Sequence, residues 1–60
     1  MENYNIYIST ETAKYTFMNI ARAAGARITG VSGCGAGYYI QLDATPGQAE
    51  TINREWEAAS

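Results

Sequence analysis

Residues 31–39 read VSGCGAGYY and set the chain's only cysteine, Cys34, among Gly33, Gly35 and Gly37. Three kinds of chemistry use such a run: a nucleophilic thiol, a phosphate cradle, or a tight turn. A thiolate needs a neighbouring base, cation or helix N-terminus to become reactive. The chain has no histidine at all, so no Cys–His or Ser–His dyad can form within it, and no base lies near Cys34 in sequence. A dinucleotide cradle needs Gly-x-Gly-x-x-Gly between a strand and a helix. Here the third glycine position is Tyr38, a strand follows, and no Lys-Ser or Lys-Thr pair completes a Walker loop. The carboxylates Glu2, Glu11, Asp43, Glu50, Glu55 and Glu57 are scattered, with no spacing that would hold zinc or calcium. The expectation is a protein that is not an enzyme, with no catalytic residues, no cofactor and no metal. The glycine run then reads as a hairpin turn, its glycines supplying positive φ, with Cys34 a turn residue.

Charge narrows the partners. A formal net charge of -2 with only Lys14, Arg22, Arg27 and Arg54 as cations argues against nucleic acid, whose phosphates are neutralised by clustered basic side chains. The same small charge is too weak for a nucleic-acid mimic. The opening MENYNIYI carries an acid at position 2 and no basic region, unlike a secretory leader, and the lone cysteine suits a reducing compartment. No segment approaches the roughly 18 apolar residues of a membrane span. A cytoplasmic protein without membrane contact is expected. Sixty residues make one α+β domain, 1–60, and a chain this short buries only about 60% of its unfolded surface. Self-association is the remaining route to stability, so a homodimer is expected.

The elements that must position these residues follow from periodicity. YNIYIS alternates Tyr4, Ile6 and Ile8 against Asn5, Tyr7 and Ser9, the period of a half-buried strand. Ser9 and Thr10 offer N-cap hydroxyls and Gly25 a C-cap, bracketing a helix. Ala13, Phe17, Ile20, Ala21 and Ala24 form its inner face, with Lys14, Tyr15, Met18, Asn19 and Arg22 outside. ARITGVSG is a weaker strand whose phase breaks at Gly30, the mark of a bulge. AGYYIQLD alternates strictly, Tyr38, Ile40 and Leu42 against Tyr39, Gln41 and Asp43. Thr45, Pro46 and Gln48 open a second helix with a capping box, and Ala49, Ile52, Trp56 and Ala59 recur on its inner face.

The order is therefore βαββα. A right-handed crossover and a hairpin give a three-stranded sheet of order 1-3-2 with both helices on one face, resembling a ferredoxin-like fold truncated before its last strand. Tyr7, Tyr39 and Gln41 then project from the open face, and Tyr15 and Met18 from the outer side of the first helix; these five are the candidate partner-binding residues. The first strand lies at an edge with no charge, proline or bulge between Asn3 and Ser9, which makes Tyr4, Asn5, Ile6, Tyr7 and Ile8 the candidate dimer edge. Two other uses of the open face stand beside protein docking: sequestering a small molecule or nucleotide, and stacking single-stranded RNA bases on the tyrosines.

In its brevity, its MENYNIYI opening and its βαββα order, the chain resembles the small phage-encoded anti-defence inhibitors, including the anti-Hachiman type, which act against anti-phage helicase systems. The resemblance rests on size and topology and carries over no site residues. It implies a phage or mobile-element inhibitor that docks, as a homodimer, on a host defence protein in the cytosol.

Overall fold

The computed structural model describes residues 1–59, apart from the side chain of Cys34; the expectation of an inert thiol lies outside the described residues, while the backbone of Cys34, expected in the turn, ends a strand and pairs with Gly37. Five elements follow in the order β1 (Glu2–Ile8), α1 (Glu11–Ala23), β2 (Arg27–Cys34), β3 (Gly37–Ala44) and α2 (Pro46–Ala59). The sheet order is β1-β3-β2, with β3 antiparallel to both neighbours. β1 and β2 therefore run parallel, as a crossover through α1 requires. This α+β arrangement loosely resembles a ferredoxin-like fold without its last strand.

Each helix is bounded by the residues its sequence offers. Thr10, in extended backbone at φ -129°, accepts from the Ala13 amide at 3.2 Å and starts α1; Ser9 lies outside the helix. α1 ends in a Schellman motif, in which the amide of Ala26 donates to Ala21 O and that of Gly25 to Arg22 O, each at 3.0 Å. Gly25 has φ 91°, the left-handed value this cap demands. At α2, Thr45 and Gln48 form a reciprocal capping box: the Thr45 amide donates to Gln48 Oε1 at 3.0 Å and the Gln48 amide to Thr45 Oγ1 at 3.2 Å. Gln48 Nε2 then donates to Gly25 O at 3.2 Å, so one side chain ties the start of α2 to the end of α1.

Both helices cover one face of the sheet. Ile8, Ile40, Leu42 and Ala44 of the strands, Phe17 and Ala21 of α1, Ala26 just before β2, and Ile52 of α2 form the buried core, with Ile40 fully enclosed. The phase break in β2 is a bulge: Ile28 pairs with Leu42 and Gly30 with Gln41, leaving Thr29 between them. The extra residue brings both Ile28 and Val31 to the helix side, and Thr29 Oγ1 donates to Gln41 O at 3.2 Å.

Placements in α2 and in the hairpin differ from expectation. Ala59 is exposed, because the last turn of α2 lies beside Thr10, Thr12 and Thr16 of the α1 entry rather than over the sheet. Trp56 is half-buried, edge-on to Phe17 at a ring distance of 5.4 Å. The hairpin between β2 and β3 turns through Gly35 and Ala36, and positive φ is found at Gly25 alone among the described glycines, so left-handed backbone is not what the turn glycines supply.

Gly25→Ala should therefore be costly twice over. Its Cβ would be forced into left-handed backbone, at about 1–2 kcal/mol, and would meet Gln48 Nε2 at 2.9 Å. Gly47→Ala, in open space in the first turn of α2, should instead raise stability by roughly 0.5–1 kcal/mol. Thermal melts of the two variants check this: Gly25→Ala melting at or above wild type would overturn the role given to the cap.

Candidate functional site: the open sheet face and the β1 edge

The strand residues that alternate away from the core form an uncovered face. Register lines them up in rows across the sheet, with the β3 residue central in each: Asn3, Asp43 and Arg27; Asn5, Gln41 and Gly30; Tyr7, Tyr39 and Ser32. Arg27 and Asp43, opposite each other, supply one charge of each sign, and Asn3 Nδ2 donates to Asp43 Oδ1 at 3.1 Å. The Gln41 side chain leans across β2, where a Cβ on Gly30 would meet Oε1 at 3.2 Å. Tyr7 and Tyr39 are 47% and 45% exposed, with ring centroids 5.3 Å apart and planes tilted by 60°. The tilt closes the space between the rings, so they form one aromatic mound and not a slot for a flat base.

Tyr7 has a second task that periodicity does not show. Its hydroxyl donates to Ala36 O at 2.7 Å, clasping the β2–β3 turn from β1. The ring lies so close to Gly37 that a Cβ there would sit 2.7 Å from Tyr7 Oη and 2.6 Å from Ile8 O. Glycine at 37 is thus required by close approach of neighbouring chain.

The structure does not bring all five candidate partner residues together. Tyr7, Tyr39 and Gln41 share the open face, whereas Tyr15 belongs to α1 in the helix layer and is 55% exposed. Met18, expected on the outer side of α1, is half-buried and packs against the core; it is corrected from surface residue to core margin. Lys14, also expected outside, folds back so that Nζ stands 4.6 Å from the ring centroids of both Tyr15 and Tyr38. Tyr38 Oη donates to Glu11 Oε2 at 3.4 Å, completing a cluster that fastens the first turn of α1 to β3.

The candidate dimer-edge residues all lie on β1, which pairs with β3 on one side only. Tyr4, Ile6 and Ile8 face the helix side and Asn5 and Tyr7 the open face, with Ile8 buried and Tyr4 and Ile6 half-buried. Between β1 and α2 runs a groove of about 460 Å³ whose apolar wall is Tyr4, Ile6, Phe17, Leu42, Ile52 and Trp56. Sequence reasoning placed Trp56 in the core and overlooked this groove, although the missing fourth strand was a signal for an uncovered strip there. Tyr4 Oη donates to Glu2 Oε2 at 3.1 Å. That bond, with some desolvation and the Glu2 charge, pushes the phenol's pKa above its ordinary value.

No protein-family model, curated protein or solved structure matches this chain. Among the described residues no group of three or more His, Cys, Asp or Glu side chains is placed to hold a metal ion, and no helix is long and apolar enough to cross a membrane.

Because the clash at Gly37 is with backbone, Gly37→Ala should destabilise by about 1–3 kcal/mol, the range of overpacking. Alanine at Gly35, which has open space around it, should have far less effect. Tyr7→Phe removes only the hydroxyl and should lose about 0.5–1.5 kcal/mol. Thermal melts that rank Gly35→Ala as the most damaging of the three would show that backbone conformation, not close approach, governs the turn.

Proposed function

We propose that the chain is a non-enzymatic protein-interaction module that docks its open sheet face on another protein, as a homodimer and as an inhibitor of that partner. The observation that carries this reading is the make-up of the face: an exposed Tyr7–Tyr39 mound ringed by Asn3, Asn5, Gln41 and Ser32, with Arg27 and Asp43 opposite each other. Tyrosine is enriched at protein interfaces because its ring buries a large area while its hydroxyl stays paired, and charge is depleted at interface centres. A phosphate-bearing ligand would want cations there, and Arg27 is the sole basic residue on the three strands. The resemblance to small anti-defence inhibitors supplies the partner class, a host defence protein in the cytoplasm.

Tyr39 tests the reading best, since Tyr7 also clasps the turn. Tyr39→Ala should melt within a few degrees of wild type yet lose at least tenfold in partner capture from a host-cell lysate, the order of one hot-spot residue. Cys34→Ser should capture as wild type does. Mass spectrometry of material released by heat from the purified protein distinguishes the alternative: a stoichiometric nucleotide or metabolite, with capture unaffected by Tyr39→Ala, would replace docking by sequestration.

A further inference from the structure

The sheet has two edges, and they are not alike. β2 carries the Thr29 bulge and Arg27 at its start, features that blunt an edge against pairing, and glycines at 30 and 33 that weaken the strand itself. β1 has none of these from Asn3 to Ile8, and its free side borders the groove lined by Tyr4, Ile6 and Trp56. Whatever occupies this place must satisfy two demands at once: main-chain bonds to an open edge, and apolar side chains at every second position for the groove.

β1 itself is such a segment, with Tyr4, Ile6 and Ile8 alternating toward the helix side. We infer that the seat is filled by β1 of a second copy, running antiparallel about a two-fold axis perpendicular to the sheet, so that the two sheets join into one of six strands. This deepens the docking reading, on which it rests only for the use made of the joined face. Symmetry and the pleat together limit the register. Residues directly opposite must point to the same face, so the axis passes through one residue of β1, and full overlap of a strand running from Glu2 to Ile8 centres it on Asn5. Asn5 then faces Asn5 of the second copy, Tyr4 faces its Ile6, and Asn3 faces its Tyr7.

Each consequence of that register is favourable. Tyr4 and Ile6, half-buried in one copy, cover each other across the seam beside both grooves. The Glu2 carboxylates stand at opposite ends, so no like charges meet across the pair. The two open faces become continuous, presenting two Tyr7–Tyr39 mounds on one rigid surface, and a two-fold partner would then be held by both.

Cysteine placement reads the register directly. In a Cys34→Ser background, Asn5→Cys puts two thiols on self-paired residues whose Cα atoms lie about 4.5–5.5 Å apart, within the range a disulfide spans. Mild oxidation should convert most of the chain to covalent dimer. Asn3→Cys alone should stay uncrosslinked, because four residues of offset separate its thiols by about 13 Å, whereas Asn3→Cys mixed with Tyr7→Cys should crosslink. Both asparagines are exposed, and circular dichroism checks that the variants fold. Light scattering of the unmodified protein at micromolar concentration should give twice the 6.5 kDa chain mass. A monomer, or a dimer that links through Asn3→Cys alone and not through Asn5→Cys, would overturn the seam. A monomer that still captures its partner through Tyr39 would do so while leaving docking in place; a crosslinked dimer that captures nothing would confirm the seam and remove the docking reading.

Discussion

Everything in this molecule depends on β3 being paired on both sides. Its inward residues Ile40, Leu42 and Ala44 are 0%, 2% and 0% exposed, and they are the floor on which Phe17, Ala21 and Ile52 rest. The side-chain sizes matter as much as the pairing. Ala21 and Ala44, both fully enclosed, allow the helix layer to approach a floor only three strands wide. With both helices spent on one face, the opposite face of the same strand has no cover within the chain, and Tyr39, Gln41 and Asp43 are necessarily presented outward. The core and the candidate docking face are two consequences of one strand's period of two.

Local signals carried most of this fold. Alternation in YNIYIS and AGYYIQLD, the Thr10 and Gly25 brackets and the Thr45–Gln48 capping box each depend on residues a few positions apart, and each is found in the structure with boundaries moved by a residue or two. The Gly30 phase break was legible as a bulge for the same reason. What the sequence concealed is long-range. That Tyr7 would clasp Ala36 across 29 positions, or that Gln48 would bond Gly25 O, cannot be read from either residue's neighbours. Met18 was misplaced because it sits on the margin of the buried face, close to the buried Ala21 on the helical wheel. The glycine run was rightly a turn for a wrong reason, since crowding by Tyr7 and Ile8 at Gly37 is invisible until β1 is in place. Of the candidate site, Tyr7, Tyr39 and Gln41 were found by parity alone; the β1–α2 groove needed three dimensions.

The two edges of the sheet link the proposed assembly to the proposed docking. A chain of this size leaves about 40% of its unfolded surface wet even when folded, and its apolar groove lies along the edge that no bulge interrupts and no charge protects from Asn3 to Ile8. Covering that edge with a second copy would add backbone bonds and apolar contact along the groove, and stability would then rise with concentration by mass action. The same event would align the open faces. Because Tyr7 belongs to β1 and also clasps the β2–β3 turn, fixing β1 in a seam would stiffen the hairpin that carries Tyr39. A docking face built from edge and centre strands together would therefore be best ordered when the edge is occupied, and the proposed seam and docking face would act as one device sharing Tyr7.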